Sequence, residues 1–405
     1  MRIENLRQEQ RGDCRRIAAD LLWEDSERPG RTLYFQTCPP FATELALSPD
    51  AFLLAALPLA VSHGERRIRV EGSVCPRLRE GLESAMAIFA MWYAHCRPLA
   101  IEPTNGFVPA LPRPDAGTAS FMSGGVDALA LLRANRLDYP LDHPGSIRTC
   151  LMVFGLNTHD FAGAEVRAER LAAFEAHSER MQQLAERVNF TLIPIHTNTR
   201  TLYDDFRSWA DVGFAAGIIC TALTLPERIG SAWLASGGVG VGRRPCGTHP
   251  LLDHHYSTAA VEVHHGQAAL SRLEKTRLVA EWEEARPLLR SCLYHDIPPA
   301  GRINCESCEK CVRTMLALIA LGRLQQVSAF ASDDVTAGML EVVRIETALD
   351  LAYYSECIEP LKQRNRHDLA RPLEEAIAAY VQRTSGGWMG RLRGRLPGGL
   401  LRRPR

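Results

Sequence analysis

Residues Ser120 to Leu129 read SFMSGGVDAL: a short apolar run stops at a serine and two glycines, and VDALALLRANR resumes with helical character. Two glycines let the backbone turn sharply and leave its amides uncovered, where bulkier side chains would block close approach. A helix starting at about Val126 adds unpaired N–H groups and the positive end of its dipole. Ser123 contributes a hydroxyl donor. Strand, turn and helix together predict a nest for a polyanion. The stretch lacks the lysine of a Walker A loop and is not GxGxxG.

Working outward, RTCLMVFG (Arg148 to Gly155), FTLIPIHT (Phe190 to Thr197) and GSAWLASGG (Gly230 to Gly238) read as further strands. Helical stretches over Ala164 to Val188 and Trp209 to Leu225 separate them. Such alternation, with continuously apolar strands, predicts an α/β fold whose open parallel sheet carries helices on both faces. Upstream, RTLYFQ (Arg31 to Gln36) and RRIRVEG (Arg66 to Gly72) read as strands, Asp50 to Val61 as a core helix and Leu78 to Cys96 as a second helix. A proline-rich connector from Pro103 to Gly117 marks a boundary. The expected organisation is a small α+β region over 1–115, the α/β domain over 116–325 and a helical extension over 326–385. A disordered basic tail is expected over 386–405, because Gly390 to Arg405 has six arginines and no acids. Ser-Gly-Gly recurs at Ser236 to Gly238, at the rim where ligands of open α/β sheets sit.

The 405 residues carry 47 basic and 47 acidic side chains, and this zero balance argues against a global attraction to nucleic acid or membrane. The N-terminus has no apolar segment of the kind a secretory signal needs, so a cytoplasmic protein is expected. Its oligomeric state, including a homo-oligomer, is left open. In a reducing compartment the twelve cysteines are thiols or metal ligands rather than disulfides. Cys305, Cys308 and Cys311 form CxxCxxC, with Cys292 just upstream. Four thiolates satisfy tetrahedral zinc and leave no open position, which makes the site structural; an iron–sulfur cluster or free thiols are the alternatives. The other eight cysteines read as small buried hydrophobes. Lysine occurs only at 275, 310 and 362, so each deserves inspection.

The Ser120–Leu129 stretch resembles the SGGxDS signature of the PP-loop ATP pyrophosphatases, the adenine nucleotide alpha hydrolase-like superfamily with its HUP-like fold. Ser123, Gly124, Gly125 and Asp127 match, whereas Ala128 stands where the family has serine. The resemblance implies cleavage of ATP between its α and β phosphates, with the loop holding pyrophosphate while AMP passes to a substrate oxygen. Ser123, Gly124, Gly125, Val126 and Asp127 would then meet ATP, with Asp127 binding magnesium or capping the helix. Gly155 and Asn157 end the second strand, where this class meets adenosine. Within the class, the 7-cyano-7-deazaguanine synthase family also carries a zinc-binding cysteine followed by CxxCxxC, matching Cys292, Cys305, Cys308 and Cys311. It has a lysine opening a helix before them, whose counterpart is Lys275, a phosphate contact with a catalytic role. The similarity spans roughly Ser120 to Leu318, and the extra residues on both sides imply another substrate.

The expected function is therefore an ATP-dependent ligase with ATP, Mg2+ and structural Zn2+. It adenylates a carboxylate or amide oxygen of a small molecule and joins it to ammonia or an amine, releasing pyrophosphate and AMP. A tRNA-modifying sulfurtransferase using the same adenylation, or a non-catalytic nucleotide-binding relative, are the alternatives. Arg200 in HTNTR, and Thr248, His249, Asp253 and His254 in CGTHPLLDHHYS, are the candidate substrate contacts.

Overall fold

The computed structural model describes residues 1–109, 111–238, 244–292 and 301–393, with side chains to 384. The chain opens with strands β1 (Arg2–Arg11), β2 (Cys14–Leu22) and β3 (Arg31–Thr37), helix α1 (Pro49–Ser62), β4 (Arg67–Val70), α2 (Pro76–Trp92) and β5 (Ala100–Pro103). It continues through β6 (Gly117–Phe121), α3 (Val126–Asp138), β7 (Ile147–Phe154), a small hairpin β8 (Phe161–Ala162) and β9 (Glu165–Val166), α4 (Ala168–Val188) and β10 (Thr191–Thr197). A short α5 (Phe206–Ser208) runs through a π-helical stretch, Trp209–Gly213, into α6 (Phe214–Ala222). Then come β11 (Ile229–Ala235), β12 (Glu262–Gly266), α7 (Arg272–Ala280), α8 (Glu309–Leu321), α9 (Ala348–Gln363) and α10 (His367–Arg393).

Ten strands form one sheet in the order β12-β11-β6-β7-β10-β3-β2-β1-β4-β5. The five from β12 to β10 are mutually parallel, and the apolar runs of β6, β7, β10 and β11 suit a parallel sheet buried on both faces. At the far edge of β10 the direction reverses: His196 and Thr197 pair antiparallel with Gln36 and Phe35 of β3. The 1–115 region thus shares one sheet with the 116–325 region. It shares a core too, since Phe35, Phe52 and Leu57 cluster with Ile193, Ile219 and Val263 on the face covered by α1, α2 and α6. The opposite face, under α3, α4 and α7 to α9, packs Leu129, Phe174, Leu184, Val279, Met315 and Leu361.

Two expectations change. Helix α10 continues to Arg393, past the residue where a basic tail was expected to begin; the rest of that tail, the stretch 239–243 and the linker 293–300 lie outside the described residues. Cys14 and Cys38, expected as buried thiols, are joined in a disulfide where β2 and β3 pair. The two cysteines face each other at the end of the β2–β3 register, a proximity that pairing creates and sequence spacing does not reveal. The other six scattered cysteines are free, five of them buried. Among the described residues no helix is long and apolar enough to cross a membrane.

What positions a site is the order of the parallel strands. From β6 the chain adds β7 and β10 on one side, then returns to place β11 and β12 on the other. Helical connections therefore diverge beyond the ends of β6 and β11, leaving a crevice of the kind that binds ligands in open α/β sheets.

Candidate functional site

Both strands that flank this crevice run into Ser-Gly-Gly. After β6, Ser123 and Gly124 lead to Gly125, the N-cap of α3. Gly124 takes φ +73°, a left-handed conformation that favours glycine. Ser123 Oγ accepts from the Gly125 amide at 3.2 Å. Two carbonyls of the turn are tied down: His177 Nε2 donates to Ser123 O at 2.9 Å, and the Arg290 amide donates to Gly124 O at 2.8 Å. Among the described residues the amides of Gly124, Val126, Asp127 and Ala128 meet no acceptor. These are the donors that the start of a helix leaves over, here gathered at one turn.

After β11, Ser236-Gly237-Gly238 is built to the same plan. Ser236 Oγ accepts from the Gly238 amide at 3.1 Å. Lys275 Nζ donates to Ser236 O at 2.5 Å, and the Tyr353 hydroxyl donates to Gly237 O at 2.8 Å. Lys275, on α7, is fully buried and lies 3.6 Å from Asp127 Oδ1, so it joins the second turn to the helix of the first. Arg272, one turn earlier on α7, hydrogen-bonds Asp127 Oδ2. Burial works to raise the Asp127 pKa, but Arg272 and Lys275 hold it below the ordinary carboxylate value. Asp127 is therefore an ion-pair partner; it makes no cap hydrogen bond to α3. Lys275 faces a carbonyl and a carboxylate rather than the open side of the phosphate turn.

A narrow cleft opens at the end of β7, lined by Phe154, Asn157, Asp160, Arg170, Phe174 and Arg290 among others. Arg290 connects it to the first turn through its amide. Gly155 stands beside the cleft with φ +91°; a Cβ there would fall 1.7 Å from the Thr197 carbonyl oxygen, so no other residue fits. Asp160 Oδ2 accepts from the amides of Gly155 at 3.2 Å and Asn157 at 3.1 Å. Burial nevertheless pushes its carboxyl up to about 6.

The four cysteines do converge. The sulfurs of Cys292, Cys305, Cys308 and Cys311 all lie within 4.8 Å of one another. Cys292 and Cys311 are 3.4 Å apart, and Cys305 and Cys311 3.8 Å, against about 3.8 Å for the edge of a tetrahedron with Zn–S bonds of about 2.3 Å. Backbone amides point at two of the sulfurs, Cys305 N–H at Cys292 Sγ (2.9 Å) and Cys308 N–H at Cys305 Sγ (3.3 Å), a pattern that favours thiolates. Asn304, fully buried, ties the two segments by bonding the Ser291 amide and the Leu289 and Ala329 carbonyls. The donor set and spacing fit a closed zinc site. Cys308 caps α8, and the next turn of that helix presents Glu309, Lys310 and Arg313. Arg313 stacks over Tyr353, as does Arg272 from α7. Burial, then Arg313 and Arg272, lower the Lys310 pKa. The four-cysteine cluster thus sits at the start of a helix whose first turn borders the Asp127 ion pairs.

The other candidates are drawn into the fold. Arg200 is buried, donating to Tyr203 O at 2.9 Å beneath Trp209. Asp253 is fully buried and holds its own loop: it accepts from Thr248 Oγ1 (2.8 Å) and the His249 amide (3.0 Å), and pairs with His265 Nδ1 (2.7 Å). His249 packs edge-on against Trp92 of α2, and exposed His254 lies tilted against His255. These residues line the α2 and α6 face, opposite α3 and α7. Their polarity secures a loop instead of converging with Ser123–Asp127. Sequence reading missed Arg272, His177, Arg290 and Tyr353, which reach the turns from elements distant in the chain. Only Arg272 left a signal, three residues before Lys275 on one helix face. Set against family models, curated proteins and solved structures, the chain matches none of them.

Proposed function

We propose that this chain is an ATP-dependent carbon–nitrogen ligase of the PP-loop ATP pyrophosphatase class. The observation that carries the reading is the Ser123–Gly125 turn at the crevice where the strand order reverses, with four amides free of acceptors and both carbonyls turned away. Such a turn suits the β and γ phosphates of ATP. The cleft at the end of β7, joined to the turn through Arg290, suits the nucleoside, with Phe154 and Phe174 as apolar walls and Asn157 as a polar contact.

In this reading a carboxylate or amide oxygen of the small substrate attacks the α-phosphorus. The bond from that phosphorus to the α–β bridging oxygen breaks, and pyrophosphate leaves with the electron pair. The turn's amides and the Ser123 hydroxyl take up the charge that develops. Ammonia or an amine then attacks the activated carbon, loses a proton and expels AMP. Magnesium, which the resemblance also implies, would meet Asp127 only through Oδ1, which has no hydrogen-bond partner among the described residues and lies 3.6 Å from Lys275 Nζ, while Arg272 occupies Oδ2; no step is assigned to it. Zinc at the four thiolates would supply a rigid cross-link and no open coordination position.

The test is product analysis. The protein is incubated with ATP, ammonia and a panel of carboxylic acids, and phosphorus NMR follows the nucleotide. AMP with pyrophosphate supports the proposal, whereas substrate-dependent ADP overturns it. A requirement for RNA would favour the sulfurtransferase reading.

A further inference from the structure

The two Ser-Gly-Gly turns share a detail that their sequence does not explain. In each, the serine carbonyl is gripped by a buried side-chain donor from another element: His177 Nε2 on Ser123 at 2.9 Å, Lys275 Nζ on Ser236 at 2.5 Å. In each, the carbonyl of the first glycine is also held, by the Arg290 amide in one and the Tyr353 hydroxyl in the other. A peptide plane whose carbonyl is fixed has its N–H fixed on the opposite side. Holding Ser123 O therefore aims the Gly124 amide, and holding Gly124 O aims the Gly125 amide.

His177 is made for this task. It is 1 % exposed, and its ring lies where a Gly124 side chain would be: a Cβ there would sit 2.8 Å from both Cε1 and Nε2. A carbonyl partner requires the proton on Nε2. Nδ1 is then bare, and among the described residues it has no partner. Burial, with Arg290 nearby, lowers the imidazole pKa to about 3, so the ring is neutral and donates through Nε2 alone. A buried nitrogen left unsatisfied is a cost that core packing alone would avoid by using an apolar residue.

We propose that His177 is a positioning residue: it locks the Ser123–Gly124 peptide in the orientation that presents the turn's amides to a polyphosphate, and Lys275 locks the Ser236–Gly237 peptide on the facing wall in the same way. The polyphosphate part rests on the proposed ligase function; the lock itself does not.

The experiment uses the full-length, metal-replete protein and two readouts. Hydrogen exchange of the 120–130 segment, without ligand, reports the lock. Titration with inorganic pyrophosphate reports its use. His177→Phe fills the space without a donor, and His177→Gln restores an N–H of similar reach. With His177→Phe we expect faster exchange of the segment and about tenfold weaker pyrophosphate binding, the usual size of one lost hydrogen bond. His177→Gln should recover most of both. If His177→Phe does not fold, His177→Asn, too short to reach Ser123, takes its place. Unchanged exchange in a folded variant without the donor overturns the lock, as does a glutamine that rescues neither readout. If exchange rises but the wild type binds neither pyrophosphate nor ATP, the lock stands and the ligase function falls.

Discussion

Gly124 and Gly125 are neighbours in one turn, yet the structure separates them sharply. At Gly124 an alanine must hold φ +73°, which costs about 1–2 kcal/mol for an L-residue. Its Cβ would also stand 2.8 Å from the His177 ring and 3.2 Å from Met181 Sδ. Both are buried, and overpacking of this kind adds about 1–3 kcal/mol. Gly125 has φ −79°, and a Cβ there meets only Ser123 Oγ at 3.2 Å and Arg290 O at 3.7 Å. We therefore expect Gly124→Ala to lower stability by about 2–5 kcal/mol and Gly125→Ala by less than about 1 kcal/mol. Urea midpoints on metal-replete protein measure both. AMP formation should be lost in Gly124→Ala and largely kept in Gly125→Ala. Equal losses of stability in the two variants would refute the claim that His177, behind the turn, is what Gly124 must clear.

Purified protein should contain about one zinc per chain, and Cys308→Ala should lose metal and folding stability before any loss specific to chemistry; iron with visible absorption would instead show a cluster. Ser123→Ala removes one donor to developing charge and should slow AMP formation about 10²–10³-fold, read from initial rates at saturating ATP. Asp160 gives a pH test. Its carboxyl is near 6 in the fold against about 3.9 unfolded, so between those values the folded state keeps a proton that the unfolded chain has released, and stability falls as pH rises. From pH 5 to pH 7.5 the wild type should lose about 1.4 kcal/mol relative to Asp160→Asn; parallel urea midpoints at the two pH values would contradict this.

Much of this architecture was legible because its signals are local. The strands β6, β7, β10 and β11 are continuous apolar runs, and burial on both faces leaves that mark on any window of sequence. The four cysteines, whose sulfurs do converge, were legible because CxxCxxC with a fourth cysteine upstream is a spacing that suits tetrahedral metal ligation. The hairpin of β1 and β2 was not: RIENLRQEQR looks solvated, and its strand character comes from pairing with β2, where Arg7 meets Asp20 across the ladder. β12, with HHG at its end, is too short to stand out. Within the site, the Ser-Gly-Gly turn could be read, but not what holds it. His177 lies on a helix with an ordinary polar face, and Tyr353 belongs to a region legible only as a helical extension. Asp253 misled for a related reason. A cluster of polar residues in a loop has the same composition whether it awaits a ligand or satisfies its own backbone.

The seam between β3 and β10 has a consequence for how the chain is made. Phe35 and Gln36 must wait for His196 and Thr197 before that side of β3 is paired. At translation rates of about 5–20 residues per second, the wait is about 8–30 s. Throughout it, β3 offers an unpaired edge whose neighbouring side chains, Leu33 and Phe35, end up fully buried. An edge of this kind invites pairing with other chains. Nascent chains should therefore depend most on chaperone cover between the synthesis of the proline-rich connector and that of β10, and a fragment that stops at the connector would keep its open edge for good.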